Sequence, residues 1–124
     1  MEDQAQVRRG LRMLLALEPD LTVVGECASG SEVCPLLHQV HADVVVMDVC
    51  LADSDGIAVT ARVRAEWPAL PIVMLSVRDD RGTRARAALA GATAFVSKHE
   101  PEPSLLSAIK NAVFIQGEPR RQFL

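Results

Sequence analysis

The run Val44-Val45-Val46-Met47 constrains the fold of this chain more than any other stretch. It is apolar at every position and shows no alternation. A strand buried on both faces reads this way, as in a parallel sheet. The run closes on a carboxylate, Asp48, and a polar turn, Asp53-Ser54-Asp55-Gly56, follows. Open α/β sheets bind their ligands at the carboxyl ends of the strands, which is where Asp48 would stand.

The flanking segments have matching punctuation. A helix is expected from Ala5, with Val7, Leu11, Leu14 and Leu15 on one face and a stop at Pro19-Asp20. Leu21 to Gly25 reads as a short strand. Ser31 is placed to cap a second helix running to about His41. A third helix follows Gly56, with Val59, Val63 and Trp67 on one face, and Pro68 closes it. Leu70 to Leu75 is a second fully apolar strand and ends at Ser76. Asp79 to Ala90 reads as a helix with Gly91 as its stop. Thr93 to Ser97 is a strand ending at Lys98. Pro103 opens a last helix with Leu105, Ile109, Ala112 and Val113 on one face. Residues 116–124 read as a polar tail. Four strands alternating with five helices predict an α/β, doubly wound parallel sheet.

Composition narrows the function classes. The 124 residues suffice for one domain with a single core. A net charge of −3 gives no overall attraction to nucleic acid or anionic membranes. Cys27, Cys34 and Cys50 are odd in number and lack metal-ligand spacing, which fits reduced thiols in a cytoplasmic protein. No apolar run has the length of a membrane span, and no secretory leader pattern is present. Gly25 to Ser31 looks like a phosphate loop but lacks the Lys that should precede Ser31. Asp53 to Gly56 fails as a calcium loop, because Leu51 and Arg62 stand at its first and last ligand positions. Arg78, Arg81, Arg84 and Arg86 form a local basic cluster, offset by Asp79 and Asp80. It reads either as a solvated face or as a partner-docking surface.

The chemistry gathers at strand ends. Asp48, Ser76 and Lys98 each close a strand, and right-handed crossovers bring such ends to one edge of a parallel sheet. Glu2-Asp3 would join them if a strand preceded Met1. Three carboxylates in one place repel one another unless a cation joins them. An all-oxygen set suits Mg²⁺, which commonly binds one or two carboxylates and a phosphate oxygen. A carboxylate can also attack phosphorus and form an aspartyl phosphate. Only two lysines, Lys98 and Lys110, occur against 11 arginines, so a specific role for Lys98 gains weight.

Together these residues resemble the receiver domain of bacterial two-component response regulators, in the subfamily often fused to a LuxR/NarL-type DNA-binding domain. The resemblance lies in Glu2-Asp3-Gln4, Val7-Arg8-Arg9-Gly10-Leu11, Val44 to Asp48, Asp55-Gly56, Met74-Leu75-Ser76, Ala90-Gly91-Ala92 and Phe95-Val96-Ser97-Lys98. It covers residues 1–115. It implies a flavodoxin-like sheet of order 2-1-3-4-5, here with strand 1 missing or truncated. It implies that Asp48 accepts a phosphoryl group from a sensor histidine kinase. Glu2, Asp3, Asp48 and the carbonyl of Cys50 would hold Mg²⁺. Ser76 would hydrogen-bond the phosphoryl group, and Lys98 would pair with it. Phe95 would follow Ser76 as a switch, altering the surface around the helix ending at Ala90, the strand ending at Ser97 and the last helix. The resemblance implies a phosphoprotein of signal transduction, with transcription regulation as its output and a homodimer as one partner. It implies no enzyme beyond self-phosphorylation and self-dephosphorylation, and no membrane partner. With no helix-turn-helix region in the sequence, direct nucleic-acid binding by this chain is not expected.

The chain departs from the family in three places. Leu51-Ala52 replaces the usual Met-Pro after the phosphoacceptor, and His99-Glu100 replaces the common Lys-Pro start. The third departure is the first strand, which in this family lies mid-sheet. Its loss would leave unpaired backbone groups, each costing about 1–3 kcal/mol. Two other readings stay open. One is a pseudo-receiver that acts as an interaction module without phosphotransfer. The other is an aspartyl-phosphate hydrolase of the haloacid-dehalogenase type, where Cys50 stands in place of the usual second Asp.

Overall fold

The computed structural model describes residues 13, 22–27, 29–49, 55–77, 80–98, 102–114 and 122–123. The elements in order are β1 (Thr22–Val23), a 3-10 turn (Gly30–Glu32), α1 (Val33–Gln39), β2 (Val45–Asp48), α2 (Gly56–Glu66), β3 (Ile72–Ser76), α3 (Arg81–Ala90), β4 (Ala94–Ser97), α4 (Glu102–Phe114) and β5 (Gln122–Phe123). The helix expected from Ala5 lies outside the described residues apart from Met13.

Strands β2, β3 and β4 form a parallel sheet in that order. Val45 pairs with Ile72 and Asp48 with Leu75. Val73 pairs with Ala94 and Ser76 with Ser97. Alternation along these strands sorts the core into two layers. Val44, Val46, Val73, Leu75 and Val96 meet Leu105, Ile109 and Ala112 of α4 on one face. Val45, Met47, Ile72 and Met74 meet Val33 and Leu37 of α1, Ile57, Val59 and Val63 of α2, and Ala87 of α3 on the other. Helices therefore cover both faces, which explains why β2 and β3 carry no polar alternation. This is the doubly wound arrangement expected from the sequence.

Two helices start on side-chain caps. The Asp55 carboxylate accepts from the Ile57 amide at 2.8 Å. Asp80 accepts from the Thr83 amide at 3.1 Å and from its hydroxyl at 2.8 Å. The helix expected from Asp79 therefore begins at Arg81, with Asp80 as its cap. The expectation for Ser31 is corrected. Ser31 lies inside the 3-10 turn, and its hydroxyl meets that of Ser29 at 3.3 Å. The α-helix starts at Val33 with Glu32, not Ser31, at its N-cap, and that cap makes no side-chain bond.

Gly91 ends α3 in the left-handed region, at φ 108°, and its amide bonds back into the last turn. Arg64 of α2 locks this stop. Its guanidinium donates two bonds to the Gly91 carbonyl, at 3.1 and 2.7 Å, and further bonds to the carbonyls of Trp67 and Pro68. One side chain thus serves the carboxyl-terminal carbonyls of two helices. Replacing it, as in Arg64→Leu, is expected to lower stability by about 2–3 kcal/mol. A urea unfolding midpoint at unchanged slope measures this, and an unshifted midpoint would show that the clamp contributes nothing.

The stretch read as a tail over residues 116–124 needs a correction. Within it, Gln122–Phe123 forms β5, which pairs in parallel with β1. A two-residue strand inside a polar segment has no periodicity to announce it.

Candidate functional site

The site lies at the carboxyl ends of β2, β3 and β4. Asp48 continues the row of Val44 and Val46, and Lys98 continues the row of Val96, so alternation aims both side chains to one face. They meet there. Lys98 Nζ donates to Asp48 Oδ2 at 2.6 Å. Their side chains are 16% and 25% exposed, respectively, so the pair is partly shielded but open to a reactant. A charge-assisted bond this short is among the stronger polar contacts in a protein.

The backbone holds this geometry from both sides. The Val49 amide donates to the Leu75 carbonyl at 3.0 Å, and the Lys98 amide donates to the Ser76 carbonyl at 2.7 Å. The sheet ladder therefore continues through the site instead of fraying before it. Beyond β2 the chain returns at Gly56, whose amide donates to the Val49 carbonyl at 2.6 Å. Gly56 packs so closely on β2 that an added Cβ would stand 1.9 Å from the Asp48 carbonyl oxygen. Space, not backbone conformation, requires glycine here.

Ser76 is 2% exposed and closes β3. It continues the row of Ile72 and Met74, which puts it on the α3 side of the sheet. Phe95 lies opposite Met74 in β4 and packs among the residues of that same face. The guanidinium carbon of Arg84 sits over the Phe95 ring, 4.7 Å from its centroid. Such a contact contributes about 0.5–1 kcal/mol where water has access. Among four neighbouring arginines, sequence reasoning did not single out Arg84. Its place on α3 facing β4 distinguishes it.

Of the residues expected at the site, Asp48 and Lys98 are brought into contact. Ser76 is joined to Lys98 through the backbone, and Phe95 shares the face of Ser76. Glu2, Asp3 and Cys50 lie outside the described residues. Among the described residues, no group of three or more His, Cys, Asp and Glu side chains gathers. Neither Cys27 nor Cys34 forms a disulfide. Burial, and then the Glu66 carboxylate, push the Cys34 thiol up against an opposing pull from Arg62. This suits an unreactive, protonated thiol. Among the described residues, no helix is long and apolar enough to cross a membrane.

Comparison with known proteins fits this geometry. The family model "Response regulator receiver domain" matches residues 1–110. Response regulator protein VraR of Staphylococcus aureus is 28% identical over 110 residues, which cover 89% of this chain and 53% of VraR. The chain thus spans about half the length of the curated relatives it matches. The crystal structure of a LuxR-family two-component response regulator from Aurantimonas sp. SI85-9A1 superposes with a TM-score of 0.82 at 30% identity. It covers 98% of this chain and 84% of that one. A CheY-like receiver domain protein from Methanospirillum hungatei JF-1 shares the fold, with a TM-score of 0.83 at 19% identity over 94% of this chain and 91% of that chain. A parallel sheet covered on both faces, an Asp–Lys pair at its carboxyl edge and a family match over residues 1–110 agree, and the chain belongs to the response regulator receiver domain family.

Proposed function

We propose that this receiver takes a phosphoryl group on Asp48 from a sensor histidine kinase and passes the change to a protein-interaction surface. The contact between Asp48 and Lys98 at 2.6 Å carries this reading. It supplies a nucleophilic carboxylate next to a fixed positive charge. In the proposed step an Asp48 carboxylate oxygen attacks the phosphorus of a phosphohistidine. The new P–O bond forms as the P–N bond breaks. The electron pair of that bond stays on the imidazole nitrogen, which takes a proton as it leaves. The Lys98 ammonium faces the charge that spreads over the phosphoryl oxygens. Ser76 offers its hydroxyl to one of them.

Receiver domains of this family typically bind Mg²⁺. The donor set fits a hard cation, since Asp48 is a partly exposed carboxylate and its proposed partners also offer oxygen. Glu2, Asp3, Asp48 and the Cys50 carbonyl would hold the ion, and when bound it would supply neutralisation of carboxylate and phosphoryl charge. The protein turns over no separate substrate; its chemistry ends on its own side chain.

The output is proposed to run through Phe95. A phosphoryl group adds about −1.5 to −2 charges near neutral pH. Ser76 and Phe95 share one face, and Arg84 links Phe95 to α3 through a contact weak enough to exchange. The surface that changes is that of α3, β4 and α4, and it would regulate transcription through a partner or a linked domain, as in the LuxR-family relatives.

Incubation with a small-molecule phosphodonor and Mg²⁺, followed by intact mass, tests the reading. The parent chain is expected to gain one phosphoryl group, and Asp48→Asn to gain none. Equal uptake by both would remove Asp48 as the acceptor, and uptake by neither would leave a binding module without phosphotransfer.

A further inference from the structure

β1 makes its described strand pairing with β5, not with β2. Gln122–Phe123 runs parallel to Thr22–Val23, with Thr22 opposite Gln122 and Val23 opposite Phe123. β5 also packs beside β2. We propose that the carboxyl-terminal strand Gln122–Phe123 occupies the sheet position between β1 and β2, so that the sheet reads β1-β5-β2-β3-β4 and is completed from the far end of the chain.

Three observations support this. First, β2 is bonded to β3 along one edge. Val45, Val46 and Met47 are buried. The backbone groups on the other edge of β2 therefore lie where water cannot reach them freely and require a partner strand. Second, the sense is right. A parallel neighbour needs a long crossover, and α4 provides one as it packs Leu105, Ile109 and Ala112 across the sheet. Third, the chain is long enough. In the proposed order β5 stands three positions from β4, about 14 Å at the usual strand spacing. The seven residues 115–121 between Phe114 and Gln122 can span about 25 Å. Phe123 is also a strong strand former.

The occupant is this chain's own Gln122–Phe123 segment, and cross-linking tests that directly. Directly opposed residues on neighbouring strands have Cα atoms within disulfide range, so Thr22→Cys with Gln122→Cys, in a chain whose Cys27, Cys34 and Cys50 are Ser, can be oxidised. The expected product is an intramolecular disulfide at the mass of one chain. A disulfide-linked dimer would give the slot to a second copy, and failure to cross-link would leave it to some other strand. Either result overturns the proposal.

Hydrogen exchange on the full chain supplies a second reading. Phe123→Asp is expected to speed exchange of the Thr22 and Val23 amides by about tenfold or more, the equivalent of one or two lost hydrogen bonds. Exchange in β4 should be unchanged, which separates local release from general unfolding. Unchanged exchange in β1 would overturn the proposal.

Discussion

Lys98→Met is expected to slow phosphoryl uptake on Asp48 by about 10²- to 10³-fold, the usual cost of removing one preorganised group from a site of developing charge. The side chain keeps most of its length and volume but loses the ammonium that meets Asp48 Oδ2 at 2.6 Å. The position of that ammonium is set before any reactant arrives, because the Lys98 amide is already bonded to the Ser76 carbonyl. Stability should respond less. Both side chains keep some contact with water, at 16% and 25% exposed, so losing the charge-assisted bond is expected to cost about 1–2 kcal/mol. That contrast separates a functional lysine from a structural one. Lys98→Arg should recover part of the rate, since the charge remains but the planar fork cannot reproduce a point contact. The measurement is the rate of mass gain with a small phosphodonor at saturating Mg²⁺, beside a urea midpoint. A rate within about tenfold of the parent would remove Lys98 from the transition state.

The site depends on the strand ladder running through the reactive residues. In many sheets the ends fray, and a side chain beyond the last pair has freedom to move. Here the Val49 amide and the Lys98 amide both extend the ladder past Asp48 and Ser76. The reactive groups are thus positioned by backbone bonds on rigid elements, which limits the reorganisation needed in the reaction.

The sequence made the strand ends legible because fully apolar runs that stop on a polar residue have few alternatives in a soluble fold. Val44 to Met47 and Ile72 to Ser76 are buried as that pattern implies, and Asp48 stands half-buried at the end of its run. Right-handed crossovers also put Asp48 and Lys98 at one edge of the sheet, where they meet. Other features depend on distances that no local pattern encodes. Thr22 and Gln122 are brought together by the whole fold, and the polar segment around β5 carries no period. Arg84 resembles Arg81 and Arg86 until α3 has an orientation. Arg64 looks like one more solvated helix charge until the stop at Gly91 comes within its reach. Asp55-Gly56 reads as a turn, which is true but incomplete.

Gly56→Ala is expected to be the most disruptive single-methyl change near the site. The new Cβ would stand 1.9 Å from the Asp48 carbonyl oxygen and 2.9 Å from both the Asp48 carbonyl carbon and the Val49 Cα. All three are backbone atoms, so no side chain can rotate away to make room. Either the 2.6 Å bond from the Gly56 amide to Val49 breaks, or the end of β2 shifts. Overpacking usually costs about 1–3 kcal/mol, and a backbone obstruction belongs at or above the upper end. Both escapes also disturb Asp48, so phosphoryl uptake should fall along with the urea midpoint. Gly82→Ala is the matched control. A Cβ there meets only Asp80 Oδ2, at 3.3 Å. In a helix, alanine gains about 0.5–1 kcal/mol over glycine, so stability should hold or rise and uptake should stay unchanged. If Gly56→Ala unfolds at the same urea concentration as the parent, the close approach of α2 to β2 is not the constraint that fixes Asp48.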